Sequence, residues 1–381
     1  MLNVVTLDDI SARAERVQTV LDTVKSVILA PKEVKRSPLF GTAELFQVCD
    51  MTKHQMRGVI DKGDLPGGEL VGARREWSLA DFRVWARTFR PSMMRPENAD
   101  AFVLTIANFK GGVSKTTTSV SLAQGLSLRG HKVLLIDLDA QGSASTLCGL
   151  APNADSTREK TALPLFMGDV ETIDDSIQST YWDGMDIVGA NPQLYGAEFV
   201  LPSRQKNDPG FEFWRVLDFG LDAARKNYDV ILIDTPPSLS YTTINALMAA
   251  DGVVMPCPPS ALDFASSAQF WGLLNDVSST LYSQTEHKKQ FEFFNVLRTR
   301  VGSKTTSISV VRDWMNAAYG DIMLSAEVPE SAATQNAAAE MSTIYDLPKG
   351  SMSSRTLQRA KDAYDDCVQE IEAKIVSSWN K

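Results

Sequence analysis

A short glycine-rich segment constrains the fold of this chain more than any other feature. The segment KGGVSKTT spans residues 110–117 and follows the apolar run FVLTIAN at residues 102–108. A glycine-rich loop after a strand and before a helix is typical of a phosphate site in a parallel sheet. Glycines let backbone N–H groups approach phosphate oxygens, and the helix N-terminus adds positive potential. The sequence therefore predicts an α/β fold with a nucleotide in this loop.

The remainder of the chain from residue 101 repeats the strand–helix alternation. Further apolar runs are KVLLIDLD, MDIVGA, DVILIDTPP, DGVVMPC and FEFFNVL, separated by helical patterns. Continuous apolar strands flanked by helices indicate a parallel sheet covered on both faces. Residues 101–381 are therefore predicted to form one P-loop domain. Its last helix is expected to bury Leu357, Ala360, Tyr364, Cys367, Ile371 and Ile375.

The loop itself supplies most of the candidate nucleotide contacts. Lys115 is expected to contact the terminal phosphates, and the Thr116 hydroxyl to hold Mg²⁺. The pattern departs from GxxxxGK[ST] at Val113 and Ser114, where glycine is usual. It also carries a second lysine, Lys110, that an ordinary phosphate loop does not need. The predicted nucleotide-binding residues are Lys110, Gly111, Gly112, Val113, Ser114, Lys115, Thr116 and Thr117.

Three carboxylates follow apolar strands. Asp137 and Asp139 end the strand KVLLIDLD, and Asp234 ends DVILID. Side chains at the carboxyl ends of parallel strands lie in the crevice where ligands bind. One carboxylate could orient an attacking water and another could tune the metal shell. Each taken alone could equally cap its strand, but three of them behind a phosphate loop favour a catalytic site.

The first 100 residues have a different organisation. Residues 6–30 predict an amphipathic helix, because apolar residues recur at spacings of four and three. That helix either packs on its own domain or joins two subunits. We expect residues 1–36 to contain this dimerisation helix and a linker. The apolar seam consists of Ile10, Ala14, Val17, Leu21, Val24 and Ile28.

Residues 37–92 are predicted to form a winged helix-turn-helix domain. Helix, turn, helix, hairpin and a third helix from Ser78 follow one another, in an order that resembles the MerR-type winged helix. Thr52 suits the cap of the second helix. The alternative is a small helical domain whose charges are merely solvated. The candidate DNA contacts are Lys53, His54, Gln55 and Arg57 on the second helix, and Arg74 and Arg75 on the wing.

Composition excludes several other classes. The 381 residues carry a net charge of −9, which still permits a local basic surface for nucleic acid. No apolar run is long enough for a membrane span, and the N-terminus lacks the order of a secretion signal. The four cysteines lie far apart without a CxxC pair, so we expect neither a zinc knuckle nor a disulfide framework, and a reducing cytoplasm. For Cys148 and Cys257 we expect buried structural thiols.

Three motifs together resemble one family. KGGVSKTT, LLIDLDAQGSAS and YDVILIDTPPSLSYTTINALMAAD are similar to the deviant Walker A ATPases, and within them to ParA, the DNA-partition ATPase. The resemblance covers residues 101 to about 375. Ser114 departs from the commoner KGGVGKT and is similar to the longer plasmid-type ParA proteins. Those proteins also carry an N-terminal helix and a winged domain.

The resemblance implies a mechanism for the second lysine. In the family, the residue corresponding to Lys110 reaches the nucleotide of a facing subunit, so that ATP favours a homodimer and hydrolysis acts as a switch. By the same resemblance Lys110, Lys115 and Asp139 form the catalytic set, with Asp139 positioning water. Thr116, Asp137 and Asp234 would support Mg²⁺, and ATP is the implied nucleotide. Adenine contacts are expected after FNVLRTR and near EVPESAA.

The resemblance also implies DNA and a protein partner. The ATP dimer would bind nucleoid DNA of any sequence, a ParB-type centromere-binding protein would stimulate a weak ATPase, and the winged domain would repress its own operon. The protein would be cytoplasmic and nucleoid-associated. Candidate phosphate contacts are Arg298, Arg300, Lys304, Arg312, Arg355 and Arg359, for each of which a solvated surface charge is the alternative.

Four other functions were weighed. MinD uses the same loop and a basic amphipathic C-terminal helix on membranes, whereas the tail here carries five acidic residues between 362 and 372, so no membrane partner is expected. Nitrogenase iron protein holds a cluster between paired cysteines in glycine-rich loops, which Cys148 and Cys257 lack. A metabolic amidating or ligating enzyme and a transcriptional repressor with ATP as effector stay open.

Overall fold

The computed structural model describes residues 6–28, 35–150, 157–282, 289–302, 306–347, 350 and 352–381. The chain divides into two compact units, residues 1–37 and residues 38–381. The helices are α1 Leu7–Ile28, α2 Thr42–Cys49, α3 Lys53–Lys62, α4 Leu79–Phe89, α5 Lys115–Leu128, α6 Ser143–Leu147, α7 Leu163–Met167, α8 Ala197–Asn207, α9 Val216–Gly220, α10 Asp222–Asn227, α11 Tyr241–Ala249, α12 Ala261–Tyr282, α13 Thr306–Tyr319, α14 Ala332–Ala339 and α15 Ser354–Trp379. The strands are β1 Phe40–Gly41, β2 Glu69–Val71, β3 Arg74–Trp77, β4 Phe102–Ile106, β5 Val133–Asp137, β6 Gln178–Ser179, β7 Met185–Val188, β8 Val230–Asp234, β9 Gly252–Cys257, β10 Phe293–Val301 and β11 Met323–Pro329.

The larger unit contains an eight-stranded sheet in the order β11-β10-β9-β4-β8-β5-β7-β6. All neighbouring strands are parallel except β6, which pairs antiparallel with β7. Every residue of β4, β5 and β8 is buried, as expected of central strands covered on both faces. The predicted α/β fold is confirmed. The sequence did not predict the edge strands β6 and β11.

The phosphate-loop helix α5 lies in the middle of the unit. Twelve of its 14 residues are buried, so it lacks a solvent-facing stripe and is packed on all sides. Helix α15 packs against it. The face predicted for α15 is confirmed, because its six predicted apolar residues are at most 6% exposed. All four cysteines are buried and free, as predicted for Cys148 and Cys257.

Residues 40–89 form the helix–hairpin unit. Helices α2 and α3 are followed by the hairpin β2–β3, which pairs with β1, and then by α4. Thr52 caps α3 together with Gln55, and Ser78 caps α4. The elements follow the order that the sequence predicts. Their apolar side chains join the core around α5 rather than forming a separate one.

Helix α1 is described on its own. Its bounds agree with the helix predicted for residues 6–30. Ile10 and Val17 of the predicted seam are 55% and 63% exposed. The side chains of Leu21, Val24 and Ile28 lie outside the described residues. None of the described helices is both long enough and apolar enough to cross a membrane.

Candidate nucleotide site

The phosphate loop turns through two left-handed residues before α5 begins. Gly112 has φ +77° and Ser114 has φ +72°. A glycine adopts this region without steric cost, whereas a residue with a Cβ loses about 1–2 kcal/mol there. The backbone therefore explains why glycine is usual at the position of Ser114. The loop keeps its shape here at the expense of local strain at that serine.

Lys115 closes the loop from inside. Its Nζ atom donates to the carbonyl oxygen of Lys110 at 2.8 Å, and the residue is 7% exposed. Burial lowers the pKa of Lys115, while the nearby carboxylates of Asp234 and Asp139 act in the opposite direction. A buried ammonium group at a helix N-terminus is well placed to attract a polyanion.

Lys110 points out of its own loop. Its Nζ atom lies 2.6 Å from Oδ1 of Asp263, which is in the first turn of α12. About a third of the Lys110 side chain remains exposed, since its fractional exposure is 32%. Its backbone N–H donates to Oδ1 of Asn108 at 3.0 Å. The two lysines of the loop therefore have different surroundings.

Donors from β10 occupy carbonyl groups of the loop. Thr299 Oγ1 donates to the Val113 carbonyl at 3.0 Å, and an Nη of Arg300 donates to the Gly112 carbonyl at 3.0 Å. Arg300 itself has φ +49° and is exposed. With these acceptors satisfied, the loop is suited to present its N–H groups to an anion.

Asp234 binds two hydroxyl groups of α5. Thr116 Oγ1 donates to one carboxylate oxygen at 2.8 Å, and Ser119 Oγ donates to the other at 2.7 Å. Asp234 is fully buried, and this burial raises its pKa against the opposing effect of those hydrogen bonds. The carboxylate therefore fixes the orientation of the Thr116 hydroxyl.

Asp137 is the register partner of Asp234 on the adjacent strand. It accepts from the backbone N–H of Ser145 at 2.9 Å, from Ser145 Oγ at 2.8 Å and from the N–H of Asp139 at 3.1 Å. Burial first, and the negative charge of Asp234 second, raise its pKa. Asp137 thus holds the loop after β5 in place. Asp139 follows, half-buried, with Oδ1 accepting from the N–H of Gln141 at 3.0 Å.

A cavity of about 390 Å³ adjoins the start of α5. One wall consists of Thr116, Thr117 and residues from Gln141 to Leu147. The opposite wall consists of α14 and the turn that follows it, residues 334–344. This second wall begins just after the segment EVPESAA, near which the sequence predicts adenine contacts. The cavity therefore offers space for a base and ribose beside the phosphate loop.

Among the described residues, no cluster of three or more His, Cys, Asp or Glu side chains could form a metal cage. Mg²⁺ rarely needs one, because it usually takes one or two protein ligands together with phosphates and water. The Thr116 hydroxyl, oriented by Asp234, fits that requirement. The residues present are therefore compatible with a nucleotide-bound Mg²⁺.

The candidate DNA contacts on α3 and the hairpin are mostly accessible. Lys53, His54, Arg57 and Arg74 are exposed. Gln55 is exposed too, but its side chain accepts from the Thr52 N–H at 2.8 Å as part of the helix cap. Arg75, in contrast, is half-buried and donates to the carbonyl groups of Gly67 and Gly68. It stabilises the hairpin, so Arg74 is the better wing candidate.

The candidates in the second half of the chain separate into three groups. Arg355 and Arg359 are exposed at the beginning of α15, and Arg300 contacts the phosphate loop as described. Lys304 lies outside the described residues. Arg298 is poorly placed for a DNA contact, because it is 9% exposed, its Nε lies 2.8 Å from Glu327, and an Nη donates to Asn316.

Arg312 shares the same acidic partner. Its guanidinium pairs with the carboxylate of Glu327, which also faces Arg298. Because Glu327 offsets part of their charge, the two arginines contribute less to a basic surface than the sequence suggests. Arg312 is still about a quarter exposed, at 28% of its side chain, and stays a candidate.

Several residues of the site were not found from the sequence. Ser119 could have been, because it lies three positions after Thr116 and so on the same helix face. Asp263 and Thr299 could not, since each reaches the loop from more than 150 residues away. No local pattern marks such contacts.

The chain is similar in sequence and in fold to several known proteins. A family model described as an AAA domain matches residues 101–287. Chromosome partitioning protein ParA of Caulobacter vibrioides is 31% identical over 249 residues, which are 64% of this chain and 87% of that protein. Protein SopA of Escherichia coli K12 is 28% identical over 330 residues, 83% of each chain. A solved partition protein, 17% identical, aligns with a TM-score of 0.67 over 96% of this chain and 97% of its own.

Proposed function

The chain belongs to the ParA family of partition ATPases, and on this basis we propose that it segregates DNA through an ATP-driven dimer. The observation that carries the proposal is the hydroxyl pair of Thr116 and Ser119 held by Asp234 at the N-terminus of α5. This arrangement prepares a ligand for Mg²⁺ directly beside a loop of phosphate-binding shape. Bound Mg²⁺ would neutralise charge on the β- and γ-phosphates.

ATP binding is assigned to the loop residues. Lys115 would exchange its hydrogen bond to the Lys110 carbonyl for the terminal phosphates, a stronger, charge-assisted interaction. Backbone groups of residues 111–117 would hold the remaining oxygens. The base would occupy the cavity between α5 and α14. Asp139, half-buried at the mouth of the loop, would position the attacking water.

Lys110 would act between subunits. In the single chain it is paired with Asp263 outside its own loop, so it does not contact the position of its own phosphates. When two subunits face each other around two ATP molecules, the dense negative charge favours transfer of Lys110 to the facing nucleotide. ADP carries less charge, and the dimer would weaken after hydrolysis. Nucleotide state thereby sets the dimer population.

DNA would bind at two places. The ATP dimer would bind DNA of any sequence through phosphate contacts that include Arg355 and Arg359, with affinity falling steeply as salt rises. Helix α3 of the helix–hairpin unit would enter the major groove of the protein's own operator, and Arg74 would contact the flanking backbone. Repression of its operon would follow. We place the protein in the cytoplasm, associated with the nucleoid.

Helix α1 supports a second subunit contact. Its predicted seam exposes Ile10 and Val17, and a helix of 22 residues is long enough for about three heptads. We propose that α1 joins subunits independently of nucleotide. The division into residues 1–36, 37–92 and 101–381 is retained as a functional division, although residues 38–381 pack as one unit.

The decisive experiment measures ATP hydrolysis with three additions. The purified chain is assayed alone, with plasmid DNA, and with DNA plus the protein encoded immediately downstream. We expect a slow basal rate and strong joint stimulation by DNA and that ParB-type partner. Stimulation by a small metabolite without DNA would instead favour a metabolic enzyme of the same superfamily. Operator binding without any DNA-stimulated hydrolysis would favour a repressor that uses ATP as its effector.

A further inference from the structure

One segment contacts both the loop that carries Asp139 and the helix α11, which follows the loop after Asp234. We call it the bracing segment, residues 190–201, which links β7 to α8. Its apolar side is fixed in the core, because Leu194, Ala197 and Leu201 are at most 1% exposed. A segment anchored in this way can hold its polar side chains in fixed positions.

The first contact is with the loop after β5. The N–H of Ala190 donates to Ser145 Oγ at 2.8 Å, and Ser145 in turn binds Asp137. Farther along, Tyr195 Oη accepts from Gln141 Nε2 at 3.3 Å. The backbone N–H of the same Gln141 donates to the carboxylate of Asp139. Tyr195 therefore contacts the residue whose backbone N–H binds Asp139.

The second contact is with the N-terminus of α11. Glu198 Oε2 accepts from the Tyr241 N–H at 2.9 Å, and Oε1 accepts from the N–H and the hydroxyl of Thr242 at 3.2 and 3.1 Å. A carboxylate at the positive end of a helix forms charge-assisted hydrogen bonds with otherwise unsatisfied donors. Glu198 therefore fixes the beginning of α11.

Helix α11 in turn contacts the loop after Asp234. Thr243 Oγ1 donates to the Ser238 carbonyl at 2.8 Å, and Thr235 Oγ1 donates to the Ile106 carbonyl at 2.9 Å. Pro237 lies between Thr235 and Ser238 and faces the phosphate loop. A Cβ added at Gly111 would lie 3.7 Å from the Cβ of Pro237. The loop after Asp234 is thus held between α11 and the phosphate loop.

We propose that Tyr195 and Glu198 are positioning residues for ATP hydrolysis, which fix the Asp139 and Asp234 loops relative to each other. This inference rests on the proposed ATPase function. The two side chains are three positions apart: Tyr195 contacts the loop after β5, and Glu198 contacts the N-terminus of α11. Neither side chain touches the phosphate loop. We therefore expect them to affect kcat, through the arrangement of the site, and not nucleotide affinity.

The test separates turnover from binding. Glu198→Gln keeps the side-chain shape but removes the charge and one acceptor. We expect kcat with MgATP to fall about tenfold, the scale of one charge-assisted hydrogen bond. Affinity for a fluorescent ATP analogue should change by less than about threefold. Tyr195→Phe, at a position 53% exposed, should lower kcat by about threefold without affecting folding.

Glu370 offers a matched control. It lies on α15 and also accepts two backbone hydrogen bonds, from Ser325 and Ala326 at 3.1 and 2.9 Å. These lie in β11, before the carboxyl ends of the strands where the nucleotide loops begin. Glu370→Gln removes the same charge from the same kind of contact. It should lower Tm about as much as Glu198→Gln does, yet leave kcat unchanged.

Two results would overturn the inference. Equal losses of kcat in Glu198→Gln and Glu370→Gln would show that both residues act only by stabilising the fold. A Glu198→Gln or Tyr195→Phe variant with wild-type kcat would remove the positioning role directly. Failure of the proposed function is distinguishable, because the wild-type protein would then hydrolyse no ATP even with DNA and its downstream partner.

Discussion

The positively charged side chains at the two ends of α5 have different surroundings. At the C-terminal end, Arg83 donates to the carbonyls of Ser127 and His131, both at 3.1 Å. Arg87 donates to the Gly130 carbonyl at 2.6 Å. These arginines come from α4 and donate to the Ser127 carbonyl in the last turn of α5 and to the Gly130 and His131 carbonyls just beyond it. At the N-terminal end, Lys110 makes its ion pair with a single carboxylate at an accessible position.

The ion pairs show the same difference. Arg90 donates to the Arg129 carbonyl and pairs with Glu372, whose side chain is 0% exposed. His131 and Arg129 contact the same carboxylate. Removing Glu372 would leave the guanidinium groups of Arg90 and Arg129 without their buried counter-charge, which is costly. The pair of Lys110 with Asp263 can open at a lower cost, because the Lys110 side chain is 32% exposed and that of Asp263 is 17% exposed.

The comparison shows that the two ends of α5 differ. At the C-terminal end, here called the fixed end, arginines are held by buried partners. At the N-terminal end, here called the exchangeable end, the lysines can change partners. The fixed end joins the helix–hairpin unit to the sheet through α4 and its arginines. The exchangeable end leaves cations that nucleotide can recruit. Variants at the two ends should therefore fail in different assays: those at the fixed end in stability, and those at the exchangeable end in binding, dimerisation or turnover.

The largest effect is expected at Lys115. Lys115→Ala removes a buried cation from the phosphate site, and nucleotide affinity should fall by about a thousandfold, or about 4 kcal/mol. Titration with a fluorescent ATP analogue measures the loss. Lys132→Ala is the control, since Lys132 lies at the opposite end of β5 with its ammonium group 4.5 Å from the centre of the Tyr228 ring. Equal affinities for the two variants would refute the site.

The next effect is expected at the fixed end. Glu372→Gln leaves Arg90, Arg129 and His131 without their buried counter-charge, and unfolding free energy should fall by about 3 kcal/mol. Chemical denaturation provides the value. Glu212→Gln is the control, because its partner Arg215 is 39% exposed and the pair should contribute less than about 1 kcal/mol. A loss as small as that of the control would argue against a structural clamp.

This cluster also predicts a pH dependence. Burial alone would raise the pKa of Glu372, but hydrogen bonds from His131 and Arg90, with the charges of His131 and Arg129, hold it at about 2. The folded pKa lies below the unfolded value of about 4.5, so the stabilisation is present above pH 4.5 and is lost as pH falls toward 2. The difference in unfolding free energy between wild type and Glu372→Gln should shrink over that window. A constant difference would contradict this origin.

A loss of turnover with binding retained is expected at Asp139. Asp139→Ala should lower kcat by about a hundredfold, because it removes the group that positions water. ATP affinity should stay within about twofold of wild type. Asp169→Ala, which removes a surface partner of Arg158, should change neither quantity. Normal turnover in Asp139→Ala would reject its role.

The smallest effects are expected on ATP-dependent association, and they should have opposite signs at the two partners of the Lys110–Asp263 ion pair. Asp263→Asn releases Lys110, and ATP-dependent association should tighten by about fivefold, since a partly exposed pair contributes about 1 kcal/mol. Lys110→Ala should weaken the same association and, because each site then lacks the cation of the facing subunit, should also lose most of its turnover. Sedimentation in ATP and in ADP measures each variant, and the difference between nucleotides removes any association through α1. Changes of the same sign would show that Asp263 does not compete for Lys110.

The sequence predicted those parts of the molecule that local patterns encode. Apolar runs gave six strands of the sheet, and Thr52 and Ser78 gave helix beginnings. The strand β11 was missed because MLSAEVP interrupts its apolar residues with Ser325 and Glu327, as befits an edge strand. Two residues of β6 are too few to produce a pattern.

Contacts across the sheet could not be predicted. Arg298 was expected on the DNA surface because composition cannot show that Glu327 lies beside it. The pair of Lys110 with Asp263 and the cap of α11 by Glu198 join residues far apart in sequence. In each case the sequence indicates the chemistry of one residue, and only the fold shows which residue is its partner.

Mixing two inactive variants tests the central claim most directly. Lys110→Ala lacks the cation proposed to cross between subunits but keeps Asp139, and Asp139→Ala has the reverse defect. In a mixed dimer, the Lys110→Ala subunit would receive Lys110 from its partner and regain one complete site. We predict that equal amounts recover about a quarter of the wild-type ATPase rate, because half the dimers are mixed and each has one working site. A mixture no more active than the average of its two components would contradict a lysine that acts across the interface.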